Sequence, residues 1–340
     1  MGEATAPPAT IKDVAALAGV SVPTVSRYLT GAARVSEDKR ARVAAAVAEL
    51  NFTPNPAARA LGGRAPGVVA VLAGNTSRYG YAETLRGIEE AARADGHLVT
   101  ITALDGAGEA ELDAAVGLAL SQPVAGVIVL AFDPAGVAAL NRLPSGVPAV
   151  ALSGGRFDGR AQIIIDEDAG AFALTSHLLS LGHPTVHHVR VPSPGGEGGR
   201  TAGWRRALLA AGRPVPAIIE AGWEPAEARP LGAALAGRDD VTAVFCGNDE
   251  VAMGVIAGLR DRGVNVPGDV SVAGFDDHPL AQLWDPALTT VAQDFAELGR
   301  RGWQLLRDRA VGESLITLTP DLILRASTAA PRTGRPARDH

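Results

Sequence analysis

The chain has a single cysteine, Cys246, which excludes a disulfide framework and fits a reducing compartment. Its opening residues, MGEATAPPAT, lack the basic and apolar stretches of a secretory signal. Its apolar runs are strand-sized, well short of the roughly 20 residues that a membrane-crossing helix needs. Together these features predict a cytoplasmic protein. Catalytic and cofactor signatures are missing as well. The loop PSPGGEGGRTAG has no Gly-Lys-Ser/Thr ending and does not follow directly on a strand, so it does not read as a phosphate loop. His187 and His188 point to opposite faces of a strand, so with His183 they cannot easily share a metal ion. The neighbouring carboxylates Asp276–Asp277 and Asp249–Glu250 do not set the spacing of about 5–9 Å across a substrate that glycoside hydrolysis needs. Cys246 ends an apolar strand and reads as a small buried filler. Residues 329–340 read as a flexible tail without the leucine heptads of a tetramerising coiled coil. No enzyme activity, cofactor, metal or membrane is expected.

What is present is an asymmetric charge. Of a net charge of −6, residues 1–65 carry eight basic and five acidic side chains, a balance of +3, which leaves −9 for the remainder. A basic front on an acidic body suits a polyanionic partner for the front. After a loose stretch over residues 1–9, Thr10 is placed to cap a helix with Asp13 in capping-box position. Val14, Leu17 and Ala18 give that helix an apolar face, and Gly19 ends it. Ser21 caps a second helix with Pro23 in its first turn and Val25 and Leu29 inward. Ser36 caps a third, residues 37–50, with Val43, Val47 and Leu50 inward. Three short helices with the tight AGVS corner between the first two form a helix-turn-helix unit, predicted over residues 10–53. The second helix leaves Thr24, Ser26 and Arg27 facing outward, as suits a ligand with donors and acceptors along a groove. Next, Asn55 as N-cap, Pro56 at the first helical position and Gly62–Gly63 at the end mark a short helix within residues 54–65. It is too short to be stable unless something holds it.

From residue 67 strand-like runs alternate with helical ones. Ten strands are expected, from VVAVLA (68–73) to LTTVAQD (288–294). The alternation predicts an α/β core of two parallel sheets, divided near residue 165, with a ligand cleft at the carboxyl ends of the strands. The core is placed at residues 66–328. One lobe takes about 66–165 with part of 295–328, and the other takes about 166–294.

Several stretches together carry a resemblance: TIKDVAALAGVSVPTVSRYL, VSEDKRARVAAAVAELNFTPNPAARAL, LLSLGHPTV, GGRTAGWRRAL, AVFCGNDEVAMGVIAGLRDRGVNVPGDVSVAGFDD and PALTTVAQDFAELGRRG. In this order, over residues 10 to about 328, the chain resembles the lactose-repressor (LacI) family of bacterial transcription regulators. The resemblance implies a homodimeric repressor with a helix-turn-helix headpiece and a hinge helix. It also implies a two-lobed core like a type I periplasmic binding protein, and a pseudo-palindromic operator in double-stranded DNA. Val22, Pro23 and Arg27 would then sit at base-reading positions, with only Arg27 able to make a bidentate pair to guanine. Ser21, Thr24, Ser26 and Asn51 would be phosphate or positioning groups, and Thr10, Asn55 and Ala58 belong to the same DNA-facing set. Leu61 matches the hinge leucine that wedges between base pairs in the minor groove.

For the effector, the resemblance points to Arg200, Asn248 and Asp276, which would bond hydroxyls or a carboxylate. Trp223 stands where the lactose repressor packs an aromatic on its sugar, and Ser153 stands where a polar contact is common. Gln293 and Phe295 match the edge of the last crossover. GNTSRYGYAE departs from the family's usual stretch after the first strand, and Arg78, Tyr79 and Tyr81 are candidates for the cleft mouth. Asp166–Glu167–Asp168 is a second departure. A saccharide effector is expected. A nucleobase or nucleoside is the alternative, disfavoured by an aromatic content of 4%. A sugar-binding protein that does not act on DNA is the reading from another class.

Overall fold

A computed structural model describes residues 9–29, 35–52, 67–104, 106, 108–193, 198–309 and 314–332. The chain divides into two compact units between Pro66 and Gly67. The hinge-helix expectation, with Asn55, Ala58 and Leu61, lies outside the described residues.

The first unit holds α1 (Ile11–Ala18), α2 (Val22–Leu29) and α3 (Glu37–Glu49). The Asp13 carboxylate accepts from both the backbone N–H and the hydroxyl of Thr10, each at 2.7 Å. At the end of α1, Gly19 turns left-handed at φ 61°. The N–H groups of Gly19 and Val20 fold back onto the carbonyls of Ala16 and Ala15. Asn51 ends α3 in the same way at φ 45°, with the N–H groups of Asn51 and Phe52 on the carbonyls of Ala48 and Val47. The three helices close on Val14, Ala15, Ala18, Val25, Val43 and Ala46. Leu17 departs from expectation and is 46% exposed. The buried stripe of α1 runs through Ile11, Val14, Ala15 and Ala18, and Leu17 lies roughly 100° around the helix from its centre.

In the second unit, one sheet has the order β11-β5-β4-β3-β1-β2 and is parallel throughout. Its strands are β1 (Val68–Ala73), β2 (Leu98–Ala103), β3 (Val127–Leu130), β4 (Ala149–Ser153), β5 (Ala161–Ile165) and β11 (Leu315–Leu318). The other parallel sheet has the order β7-β6-β8-β9, built from β6 (His187–Arg190), β7 (Ile219–Glu220), β8 (Ala243–Cys246) and β9 (Ser271–Ala273). Central strands such as VVAVLA and AVFC are continuous apolar runs because helices cover both faces. Eight helices supply that cover: α4 (Tyr79–Ala94), α5 (Glu109–Ala119), α6 (Pro134–Arg142), α7 (Glu167–Ser180), α8 (Gly198–Ala210), α9 (Pro225–Leu235), α10 (Asp249–Asp261) and α11 (Phe295–Arg307). Helices α4 and α11 meet backbone to backbone. A Cβ on Gly299 would stand 2.2 Å from the Thr84 carbonyl oxygen, and one on Gly87 would stand 2.0 Å from that of Ala296.

All ten expected strands are present, and two were not foreseen. Strand β11 extends the first sheet beside β5. Strand β12 (Asp321–Ile323) pairs antiparallel with β10 (Thr290–Ala292) as a small third sheet, which corrects the two-sheet expectation. The chain crosses between lobes at Asp166, at Gln293–Asp294 and at Thr319–Pro320. Ala329, expected to open a flexible tail, is held in place. Its N–H bonds the Ser271 hydroxyl at 3.0 Å, and its carbonyl accepts from that hydroxyl at 3.0 Å. The His183 ring lies 3.0 Å from the same carbonyl. No helix among the described residues is long and apolar enough to cross a membrane.

Candidate functional site

Both parallel sheets change direction of winding next to their first strand, β1 beside β3 and β6 beside β8. Ligands of open α/β sheets bind outside the carboxyl ends of strands at such switch points. The carboxyl ends of the two sheets face a shared cavity of about 340 Å³. Segments after β1, β3, β4 and β5 line it from one lobe, and segments after β6, β7, β8 and β9 from the other.

The polar wall is organised by Arg200, in the first turn of α8. Its Nε and Nη2 donate to Glu167 Oε1 at 3.0 and 2.7 Å. Its Nη1 donates to the Gly247 carbonyl. Its Nη2 also lies 3.2 Å from Asp276 Oδ1, and the guanidinium sits 4.5 Å over the Phe275 ring. Gln293 Nε2 donates to the same Asp276 oxygen at 2.6 Å. Burial pushes the Asp276 carboxyl up to about 6, against the opposing pull of Arg200 and Gln293.

The backbone at Asp276 is strained, with φ 105°, and Asp277 follows at φ 53°. Asp249 beneath holds this turn, since its carboxylate accepts from the His278 N–H at 2.7 Å and from the Thr290 hydroxyl at 2.6 Å. Gly274 leaves room for it, because a Cβ there would stand 2.1 Å from Asp249 Oδ1. Burial raises the Asp249 carboxyl well above the usual range. Asn248 caps α10 by accepting from the Val251 N–H at 2.8 Å. That bond fixes the amide's orientation and leaves its Nδ2 donor for the cavity.

Aromatic side chains make up another part of the lining, and Tyr79 packs 4.9 Å from the His278 ring beside the Asp276 turn. Tyr79 meets Phe295 edge-on at 6.0 Å, and Tyr81 meets Phe132 at 5.1 Å. Tyr81 donates to Asp133 Oδ2 at 2.5 Å. Across the mouth, the Arg78 guanidinium lies 4.6 Å from the centroid of Trp223. Tyr79, Tyr81, Phe132, Phe157, Trp223 and Phe295 all line the cavity, six of the chain's four tryptophans, three tyrosines and seven phenylalanines. The low overall aromatic content therefore says nothing against a stacked ligand, because the rings are concentrated here.

Arg200, Asn248, Asp276, Gln293, Trp223, Tyr79 and Ser153 thus converge on one cavity. Ser153 contributes least: it is 1% exposed, and its hydroxyl donates to the Gly155 carbonyl at 2.5 Å. Glu167, from the Asp166–Glu167–Asp168 departure, lines the wall, as do Phe132, Phe157 and Glu250, which the sequence did not assign to the cleft. Each follows the end of a strand by a few residues, which is the signal that would have found them. His188 borders the cavity from within the core, stacked 4.6 Å from Phe245, and burial pushes its ring down to about 4. His187 points to the other side of β6, towards Arg238 and Asp240. The Cys246 thiol is buried and pushed upward by that burial.

Ser21, just before α2, is exposed, as are Val22, Pro23, Ser26 and Arg27 on the helix, and Thr24 is half-buried. The Ser21 and Thr24 hydroxyls bond each other at 2.9 Å. Thr10 and Asn51 are exposed, but each also serves a helix end, Thr10 through Asp13 and Asn51 through its left-handed turn.

Residues 10–55 match the family model for bacterial regulatory proteins of the lacI family, and residues 175–328 match a periplasmic binding protein-like domain. The HTH-type transcriptional regulator DegA of Bacillus subtilis (strain 168) is 32% identical over 337 residues, covering 95% of this chain and 99% of DegA. The HTH-type transcriptional repressor PurR of Vibrio parahaemolyticus is 30% identical over 331 residues, covering 93% of this chain and 98% of that protein. The crystal structure of the lac repressor dimer bound to operator and the anti-inducer ONPF superposes with a TM-score of 0.85 at 30% identity, covering 95% of this chain and 100% of that one. The chain belongs to the lacI family of bacterial regulatory proteins: it is a DNA-binding transcriptional repressor regulated by effector binding, and not an enzyme.

Proposed function

We propose that the effector is a saccharide held in the cavity between the two lobes. The observation that carries this reading is the pairing of a polar wall with an aromatic one. Arg200, Asn248 and Asp276 offer fixed donors and acceptors for neighbouring hydroxyls, Tyr79 and Phe295 offer apolar faces to C–H groups of the ring, and Trp223 borders the site under the Arg78 guanidinium. Gln293 belongs to a crossover between lobes and bonds Asp276, so a ligand touching Asp276 acts on the joint about which the lobes move. Such a ligand prefers one lobe arrangement, DNA prefers another, and each shifts the other's affinity.

In the first unit, α2 would enter the major groove. Val22 and Pro23 give apolar contact there, and Arg27 gives the bidentate pair to guanine. Thr10, Ser21, Thr24, Ser26 and Asn51 would meet phosphates. Asn55, Ala58 and Leu61 would form the minor-groove element. A homodimer on a pseudo-palindromic operator fits this arrangement, and the exposed Leu98 and Ile101 on β2 and Leu280 and Leu283 after β9 offer apolar surface for it.

A thermal-shift screen of the purified chain against mono- and disaccharides, nucleosides and amino acids tests the effector class. A cleft ligand raises the melting temperature by mass action. A sugar hit supports the reading. A hit among nucleosides alone overturns it in favour of a stacked nucleobase, the second reading, which the aromatic wall favours.

A further inference from the structure

We propose that the effector carries an anionic substituent, a carboxylate or a phosphate, seated at Arg78. This deepens the saccharide reading of the same cavity and rests on it. Four guanidinium groups line the cavity: Arg78, Arg156, Arg190 and Arg200. Two of them have carboxylate partners. Arg200 is held by Glu167 and Asp276, and Arg190 pairs with Glu220 at 2.6 Å. Arg78 and Arg156, both on the same lobe, have no carboxylate partner among the described residues.

Arg78 is the better placed of these two. Its face is covered by Trp223, which leaves the edge of the guanidinium, where its donors lie, as the part that can meet a ligand. On that edge Nε is buried and has no acceptor. A buried donor without a partner is costly, and an acceptor on a molecule bound at Arg78 would relieve that cost. Arg78 also immediately precedes α4, a sixteen-residue helix with no side-chain cap, so the positive end of the helix adds to the same field. A neutral hydroxyl would satisfy the hydrogen bond but not the charge. An oxyanion satisfies both, with two parallel bonds to the fork. Glu250, a carboxylate on the cavity wall, lies near enough to Asp276 to raise its carboxyl and belongs to the hydroxyl-binding end.

Isothermal titration of the whole chain with matched sets tests this: glucose, glucuronate and glucose 6-phosphate, and the galactose counterparts. The expected result is that one charged member binds about ten- to a hundredfold tighter than its neutral partner, the range for a charge-assisted bond. Which charged member wins distinguishes carboxylate from phosphate. Arg78→Gln should collapse that gap to within about threefold, and a cooperative thermal melt reports that the variant is folded. Arg156→Ala should narrow the gap less. Equal or tighter binding of the neutral sugars, or a gap that survives Arg78→Gln, overturns this inference alone. Binding of no sugar at all overturns the saccharide reading and this inference together.

Discussion

Replacing Arg200 by alanine removes the counter-charge of two carboxylates at once. The side chains of Arg200, Glu167 and Asp276 are only 14%, 15% and 13% exposed, so solvent screens little of the loss. Breaking a buried pair by deleting one partner costs about 3–5 kcal/mol. For a unit of this size that is roughly 6–20 °C of melting temperature. The deficit should depend on pH in a defined direction. Asp276 already stands at about 6, above its usual 3.8. Its folded form therefore binds a proton more readily than the unfolded form. The stability it contributes is complete below about pH 4 and is lost as pH rises through about 6. Arg200 holds that value down, so Arg200→Ala raises it further. The variant's deficit should then be largest at pH 8 and shrink towards pH 5, where a protonated Asp276 no longer needs a counter-charge. Thermal melts of wild type and variant at both pH values measure this. A deficit below about 1 kcal/mol, or one equal at pH 5 and pH 8, would refute the reasoning.

Four further outcomes follow from the same geometry. Arg27→Ala should weaken binding to the preferred DNA site by about 1–3 kcal/mol in a fluorescence titration and relax preference at one base pair, with a much smaller loss on random DNA. Asn51→Gly should leave the melting of the headpiece nearly unchanged, whereas Asn51→Val should destabilise it by about 1–2 kcal/mol, because only the second strains the left-handed turn. Gly299→Ala should cost about 1–3 kcal/mol in a denaturant melt, since its Cβ meets the Thr84 carbonyl and forces α4 and α11 apart. Leu283→Glu places a charge on a side chain that is 77% exposed, and sedimentation should report a monomer where the unaltered chain runs as a dimer; an unchanged dimer would remove that surface from the interface.

The fold was largely legible because its signals are local. The Thr10–Asp13 pair, Gly19 and the alternating apolar runs announce elements through backbone chemistry and periodicity alone. Strand β11 was missed because LITL is short and reads as a strand only through its neighbour β5, some 150 residues earlier. Leu17 was misplaced because an eight-residue helix gives too few turns to fix the centre of its buried stripe. In the cleft, Arg200, Asn248 and Asp276 could be named from the family's motifs. Glu167 stood out only as a departure from them, and Phe132 and Phe157 could not be named, since only the convergence of strand ends brings them to the cavity. The same convergence reverses the inference from aromatic scarcity: a chain-wide 4% conceals six rings in one pocket.

The central claim is that the cleft controls the headpiece. The direct measurement is the affinity of the purified chain for a DNA fragment it has selected from a random pool, with and without a saturating sugar found by thermal shift. The account predicts a change of about 5- to 150-fold, and an equal change in sugar affinity when the DNA is added first. A sugar that binds in the cleft and leaves DNA affinity unchanged would contradict it.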